Sequence, residues 1–133
     1  MSPQQITLVK KSWKLLRKVD PVLLGDVFYS KLFHEAPQTK ALFTAERESQ
    51  SRKLIDMLNM IVARLDFPDT VNDDLKYLGE RHVRYGVKPH HYEAVGQSLI
   101  WTLEQGLGKD WNEEIRDAWT ACYAMISMKM QEH

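Results

Sequence analysis

Apolar residues recur along this chain at intervals of three and four, the spacing that places side chains on one face of an α-helix. The first such segment begins at Ser2, where Ser2 and Gln5 fit a capping box and Pro3 fits the first helical turn. We expect this helix to end near Lys18. Its predicted apolar face consists of Ile6, Val9, Trp13 and Leu16.

Turn-forming residues divide the rest of the chain into further helices of the same kind. The predicted segments are Asp20 up to the residue before Pro37, Glu48–Asp66, Asn72–Tyr85, Pro89–Gly106 and a last helix that begins with a capping box at Asp110–Glu113. No segment has the apolar alternation that is typical of a β-strand. The sequence therefore predicts a single all-α domain over residues 1–133, with about six to eight helices.

Composition and charge narrow the classes of partner. Among the 133 residues, 18 basic side chains balance 18 acidic ones, which gives no support for binding to nucleic acid or to an anionic membrane. No apolar run approaches the roughly 20 residues of a membrane span, and the start lacks the pattern of a signal peptide. Cys122 is the single cysteine, which excludes an internal disulfide and fits a reducing compartment. We expect a cytoplasmic protein.

One histidine lies on an apolar helix face, because Leu75, Leu78 and His82 fall at positions i, i+3 and i+7. Its partner is either an ordinary hydrogen-bonding group or a metal ion, since neutral imidazole is the commonest metal ligand. Taken alone, the pattern favours the ordinary core histidine. The other histidines are expected at the surface or at helix starts, and they are His34, His90, His91 and His133.

Three other residues favour the interpretation of His82 as a metal ligand. Tyr29 lies beside the apolar face of the second helix, and Gln50 extends the apolar face of the third. Phe43 lies in the loop between these helices, where a large ring can pack against a flat cofactor. Each is compatible by itself with an ordinary core or surface position. Together with His82 they supply a metal ligand and hydrogen-bond donors from three different helices, as a pocket requires.

The whole chain resembles the globin family, in particular the single-domain bacterial globins related to flavohaemoglobin haem domains. The shared segments are Phe28-Tyr29-Ser30-Lys31-Leu32-Phe33, Ala36-Pro37, Leu42-Phe43, Gln50-Ser51-Arg52-Lys53-Leu54, Arg81-His82, Tyr85-Gly86-Val87, His91-Tyr92, Val95-Gly96, Ala118-Trp119 and Tyr123. Their order and spacing extend over nearly the full chain. The resemblance implies a globin fold that encloses haem b, iron protoporphyrin IX.

The resemblance also implies a role for individual residues. His82 matches the proximal ligand of the haem iron. The residues that it implies in contact with the cofactor are Phe43, His82, Val87, Tyr92 and Val95. The residues that it implies on the distal side, where a gas binds, are Tyr29, Gln50 and Leu54.

The distal pair fits a bound gas that carries partial negative charge, such as O2. A phenol O–H and an amide N–H each contribute about 1 kcal/mol of net hydrogen-bond free energy, and somewhat more in a dry pocket. We therefore expect tight O2 binding with slow dissociation. Because Gln50 occupies the position of the distal histidine of many globins, we expect a pentacoordinate iron rather than bis-histidine ligation.

On the proximal side, Tyr92 matches a tyrosine that in related bacterial globins joins a glutamate near the imidazole. The matching glutamate would fall one position beyond His133, and Glu132 is out of register. The sequence therefore does not predict a proximal network that favours O–O activation.

Several functions share such a pocket. The first is reversible binding and delivery of O2, with CO and NO as further ligands. The alternative is an enzyme, an NO dioxygenase that converts NO to nitrate with a separate reductase, since Gly106-Leu107-Gly108 lacks the third glycine of a dinucleotide-binding motif. A haem-based sensor and a haem-free helical adaptor are further possibilities. The pattern leaves open whether the protein is a monomer or a homodimer.

Overall fold

The computed structural model describes residues 1–132, so the prediction of an exposed His133 lies outside the described residues. The α-helices are α1 (Pro3–Leu16), α2 (Pro21–Glu35), α3 (Arg47–Ala63), α4 (Asp69–Arg84), α5 (Pro89–Leu107) and α6 (Glu113–Met130). Two short 3-10 helices, Pro37–Leu42 and Gly108–Asp110, lie between them. The described part of the chain contains no β-strand, which confirms the all-α prediction. None of its helices is long and apolar enough to cross a membrane.

The predicted starts of the first two helices are confirmed at the level of individual hydrogen bonds. The Ser2 hydroxyl accepts the Gln5 main-chain N–H at 3.1 Å, and the Gln5 side chain accepts the Ser2 N–H at 3.0 Å. The Asp20 carboxylate accepts the Val22 N–H at 2.9 Å at the start of α2. These contacts satisfy N–H groups that have no partner inside the helix.

Three predicted boundaries are wrong. The third helix ends at Ala63 rather than at residue 66, and α4 begins at Asp69 rather than at residue 72. Pro68 lies at the cap of α4 with a φ of −59°, a value that suits a helix start. At α6 the cap is Asn112, whose side chain accepts the Ile115 N–H, because the preceding residues are drawn into a 3-10 helix.

The core lies between α1, α2, α3, α5 and α6, and α4 closes it from one side against α6. Its largest fully buried side chains include Leu16, Leu32, Leu58, Ile61, Leu75, Leu103 and Trp119. The buried indole N–H groups of Trp119 and Trp13 both have partners. Trp119 donates to the Ser12 hydroxyl at 2.9 Å, and Trp13 donates to the side-chain amide oxygen of Asn59 at 2.7 Å. Buried N–H groups that are paired in this way do not destabilise the core.

Two glycines set the close approach of the helices that carry the candidate site. A Cβ atom on Gly25 of α2 would lie 2.3 Å from the Cβ atom of Ser51 on α3. A Cβ atom on Gly79 of α4 would lie 1.7 Å from the main-chain oxygen of Met130 on α6. The absence of a side chain at these two crossings therefore fixes where α3 sits on α2 and where α4 sits on α6.

Candidate functional site

An aromatic cluster forms where α2 faces the loop that precedes α3. The Tyr29 ring is 4.9 Å from the Phe28 ring and 5.2 Å from the Phe43 ring between centroids, both in edge-on geometry, and 5.9 Å from Phe33. Tyr29 is only 5% exposed. The Tyr29 side chain therefore points inward.

The Tyr29 phenol lies against the first turns of α3. Its hydroxyl donates to the main-chain carbonyl oxygen of Gln50 at 3.4 Å. Burial raises the pKa of this phenol to about 12, although the nearby Arg47 charge acts in the opposite direction. The group therefore remains a protonated hydrogen-bond donor throughout the physiological pH range.

The neighbouring distal candidates are only partly covered. Gln50 is half-buried on α3, and Leu54, one turn further along, packs against the edge of the core. Phe43 follows the first 3-10 helix, where its main-chain N–H donates to the Lys40 carbonyl at 3.2 Å. The structure thus brings Tyr29, Gln50 and Phe43 to one region, as the sequence predicts.

His82 lies in the last turn of α4 and is half-buried. Its Nδ1 atom is 2.8 Å from the main-chain carbonyl oxygen of Leu78. A carbonyl oxygen can only accept a hydrogen bond, so Nδ1 carries the proton and Nε2 has the free lone pair. Burial lowers the pKa of the imidazole, the Leu78 hydrogen bond raises it, and the Arg81 charge lowers it further. The neutral ring with a free Nε2 is the form that binds a metal.

The chain turns sharply after α4, and the turn brings Val87 close to His82. Gly86 has a φ of 94°, and the Val87 N–H donates to the His82 carbonyl at 3.0 Å. Val95 and Tyr92 on α5 are half-buried, and the Tyr92 carbonyl accepts the Tyr123 hydroxyl at 2.6 Å. The first contact fixes the turn after α4, and the second joins α5 to α6.

Glu132 lies at the surface, whereas His91 is buried. The Glu132 carboxylate lies 3.7 Å from the Lys129 ammonium group at the exposed end of the described chain. His91 occupies the first turn of α5, as expected, but it is buried rather than exposed, and its Nδ1 atom accepts the Lys88 N–H at 2.8 Å. The imidazole therefore takes the role that Glu or Gln usually has at the third helical position of a capping box.

Sequence reasoning missed an ion pair above the aromatic cluster. The Arg47 Nη1 atom lies 2.7 Å from the Asp26 carboxylate, and the guanidinium lies over the Tyr29 and Phe33 rings, 5.7 and 5.2 Å from their centroids. A signal for this pair was present. Asp26 precedes Tyr29 by three residues and Arg47 precedes Gln50 by three, so each charge shares a helix face with a distal candidate.

A second missed feature is a group of basic side chains around Tyr85 at the end of α4. The Arg81 guanidinium donates to the Tyr85 hydroxyl at 3.2 Å. This hydrogen bond and the Arg81 charge lower the pKa of the Tyr85 phenol, and the charges of Lys53 and Arg84 act in the same direction. Positive charge therefore collects between α3 and α4, where it can pair with an anionic group of a cofactor.

The side chains around these candidates fit a flat, largely apolar cofactor that carries its own metal. Half-buried apolar residues lie on each element that carries a candidate, namely Phe33 on α2, Phe43 in the loop, Leu54 on α3, Leu78 on α4 and Val95 on α5. Residues 1–132 contain no cluster of three or more His, Cys, Asp and Glu side chains arranged to hold a metal ion. A haem would bring its own iron and ring nitrogens, so a single imidazole such as that of His82 could hold it.

Comparison with known proteins establishes the family. The globin family model matches residues 26–130, so this chain belongs to the globin family. An anaerobic nitrite reductase of Arabidopsis thaliana is 32% identical, over 96% of this chain and 90% of the relative. A flavohemoprotein of Xylella fastidiosa is 28% identical over 98% of this chain, which spans only 33% of that longer protein.

Solved structures support the same assignment. An engineered carbene transferase, derived from a candidate nitric oxide dioxygenase of Rhodothermus marinus, superposes with a TM-score of 0.86 at 28% identity, covering 96% of this chain and 89% of the other. The predicted globin fold and the resemblance to flavohaemoglobin haem domains are confirmed. Membership of this family implies a haem cofactor.

Proposed function

We propose that this globin binds haem b with His82 as the only protein ligand of the iron, and that it reversibly binds O2 and other diatomic gases on the Tyr29 side. The observation that carries the proposal is the 2.8 Å contact between the Nδ1 atom of His82 and the Leu78 carbonyl. That contact fixes the ring orientation and leaves Nε2 as the ligating atom.

When bound, haem would supply an iron atom that can take up a diatomic gas. The chain would supply the surroundings. Phe43 would pack against the cofactor, and Val87, Tyr92 and Val95 would lie on the His82 side. Tyr29 would donate its phenol O–H toward the gas, Gln50 would offer an amide N–H, and Leu54 would keep that side apolar. Lys53 and Arg84, whose charges act on Tyr85, could pair with the cofactor carboxylates.

Electronic absorption spectroscopy of the purified protein tests this proposal directly. We expect a Soret band, a five-coordinate ferrous spectrum after reduction with dithionite, and stable O2 and CO complexes. The variant His82→Ala is expected to lose haem during purification, whereas His90→Ala, an exposed histidine eight residues later, keeps it. Normal haem content in His82→Ala would show that His82 is not the ligand of the iron.

A second candidate function, NO dioxygenation, is favoured by the similarity to a flavohemoprotein and to the candidate nitric oxide dioxygenase. The overall reaction joins NO, O2 and one electron to give nitrate, so sustained turnover requires a separate reductase as electron donor. Tyr29 would serve both functions, because its O–H stabilises negative charge on the bound oxygen that NO meets.

Consumption of NO by the O2-loaded protein separates the two functions. Rapid, repeated loss of NO in the presence of NADH and a flavin reductase supports the enzyme, whereas one equivalent of NO consumed per haem supports a binding role. A parallel anaerobic assay with nitrite tests the activity for which the Arabidopsis thaliana relative is named.

A further inference from the structure

We infer that Arg47, held in place by Asp26, is a positioning residue that sets the Tyr29 phenol relative to the first turns of α3. The inference rests on the proposed function, because Tyr29 is its distal hydrogen-bond donor. Neither Arg47 nor Asp26 contributes a ligand or a donor to the gas. Each acts through Tyr29 and Gln50.

The Arg47 side chain joins two helices across the aromatic cluster. It starts at the first residue of α3, and its Nη1 atom reaches the Asp26 carboxylate of α2 at 2.7 Å and the Ser30 hydroxyl at 3.5 Å. The same guanidinium stacks over the Tyr29 and Phe33 rings. The Arg47 side chain therefore links the first turn of α3 to α2, next to the contact between Tyr29 and Gln50.

The first turn of α3 lies just before the Gly25–Ser51 crossing, and Arg47 supplies a side-chain contact between that turn and α2. Among the described residues, Glu46 at the cap position makes no side-chain capping hydrogen bond. Gln50, three residues after Arg47, follows directly on that turn and accepts the Tyr29 hydroxyl on its main-chain oxygen at 3.4 Å. A shift of the first turn therefore changes the distance between Tyr29 and Gln50 and the direction of the phenol O–H.

The positive charge of Arg47 also acts on the Tyr29 phenol. A guanidinium over an aromatic face is attracted to the ring electrons and is more favourable where water is excluded. Tyr29 is almost fully buried, so the cation polarises the phenol and makes its O–H a stronger donor. The Asp26 carboxylate pairs with the guanidinium at 2.7 Å and so favours its position over the ring, although 38% of the Arg47 side chain and 52% of the Asp26 side chain are exposed.

The same helix contains a matched control. Arg52 pairs with Glu48 at 3.2 Å, one turn apart on α3, and both side chains are more than half exposed. Among residues 1–132, the arginines that stack on aromatic rings are Arg47 and Arg81. The variant Arg52→Gln thus removes a charge and an ion pair from α3 without touching the aromatic cluster.

The main experiment measures the O2 dissociation rate by stopped flow and the C–O stretching frequency of the CO complex. We expect Arg47→Gln and Asp26→Asn to release O2 about threefold to tenfold faster, with a shifted C–O frequency, and Arg52→Gln to stay within about twofold of the wild type. In a Tyr29→Phe background, Arg47→Gln should add no further acceleration. An effect equal to that of Arg52→Gln, or one that adds fully to Tyr29→Phe, would overturn the inference.

A second measurement needs no haem. Hydrogen exchange of the main-chain amides of residues 48–53 in the protein as purified should be faster in Arg47→Gln and in Asp26→Asn than in Arg52→Gln. Unchanged exchange in both variants contradicts the positioning role whether or not haem is bound. Failure of the proposed function is distinguishable, because it would appear in the wild type as a missing Soret band.

Discussion

The hydroxyl of Tyr29 lies 3.4 Å from the main-chain carbonyl oxygen of Gln50, at the crossing of α2 and α3. This distance is long for an O–H donor, whose hydrogen bonds usually measure about 2.7–2.8 Å, so the contact is weak. In the proposed function, the phenol could therefore turn toward a gas with little loss of free energy. The Gln50 carbonyl is close to the hydroxyl but does not compete strongly for its proton.

Removal of that hydroxyl tests the distal assignment. We expect Tyr29→Phe to raise the O2 dissociation rate by about tenfold, because one hydrogen bond in a dry pocket is worth about 1–1.5 kcal/mol. The CO dissociation rate should change less, since bound CO is less polar. The control is Tyr85→Phe, which removes an exposed phenol paired with Arg81. Equal O2 rates in the wild type and Tyr29→Phe would show that Tyr29 does not contact the gas.

The titration of Tyr29 leads to a separate expectation. Burial raises the pKa of its phenol from 10.0 to about 12, so the neutral donor form persists to higher pH than in an exposed tyrosine. The O2 dissociation rate should therefore be constant between about pH 6 and pH 10 and should rise only above that range. Stopped-flow measurements across this range provide the check. A rise centred near pH 10, the ordinary pKa of a tyrosine, would mean that the phenol is not protected by burial.

The position of α4 against α6 makes Gly79 sensitive to substitution. A Cβ atom there would lie 1.7 Å from the Met130 carbonyl oxygen, and a main-chain atom cannot move aside cheaply. We expect Gly79→Ala to lower the free energy of unfolding by about 2–3 kcal/mol and to weaken haem retention, because His82 lies one turn further along. Urea unfolding and haem-loss rates measure both effects.

Gly106→Ala is the matched control for this steric argument. Its new methyl group would meet the end of the flexible Leu16 side chain at 2.6 Å, and that end can change its position. Alanine also has the higher helix propensity, which offsets part of the crowding. We expect a change of less than about 1 kcal/mol. Equal destabilisation by the two substitutions would refute the distinction between main-chain and side-chain neighbours.

Two buried serines predict stability changes of opposite sign. The Ser51 hydroxyl is fully buried and has no hydrogen-bond partner among residues 1–132, so Ser51→Ala should stabilise the protein by about 0.5–1 kcal/mol. The Ser12 hydroxyl accepts the Trp119 indole N–H, so Ser12→Ala should destabilise the protein by about 1–3 kcal/mol by leaving that N–H unpaired. Midpoints of urea unfolding compare the variants. Destabilisation by Ser51→Ala would show that its hydroxyl has a bonding partner.

Much of the fold could be predicted because helix signals are local. The capping box at Ser2 and the cap at Asp20 depend on residues within one turn, and both are present as predicted. The start of α4 differs from the predicted residue 72 because Pro68 lies at the cap and the helix begins directly after it, a position that suits proline. The cap of α6 shifted to Asn112 because a 3-10 turn absorbed the residues before it.

The candidate site likewise has one part that the sequence predicts and another that depends on tertiary contacts. Helix periodicity and the family resemblance were sufficient to predict that Tyr29, Phe43 and Gln50 meet, and the helix face of His82 was visible directly. The contact between Arg47 and Asp26 joins residues that are 21 positions apart, and its existence depends on the α2–α3 crossing. Helix periodicity fixes which residues share a face, but the partner of that face is a tertiary property.

The buried thiol of Cys122 gives a test of core integrity that is independent of the haem. The residue is 0% exposed, and burial raises its pKa from 9.0 to about 12, so the reactive thiolate is rare in the folded protein. An aromatic disulfide reagent at pH 8 should label the native protein at least about a hundredfold more slowly than the guanidinium-unfolded protein. Rapid labelling of the native form would mean that the contact between α6 and α1 opens readily.

The raised pKa of Cys122 also makes the stability of the fold depend on pH. Because the folded pKa is raised, the folded state retains the Cys122 proton where the unfolded state has already lost it. This contribution to stability is present below about pH 9 and is lost progressively as the pH rises toward 12. Cys122→Ala should therefore reduce the alkaline loss of stability, at the cost of a small cavity that lowers stability equally at all pH values. Urea unfolding at pH 7 and pH 10 distinguishes the two effects, and parallel losses in the wild type and Cys122→Ala would assign the alkaline sensitivity to other groups.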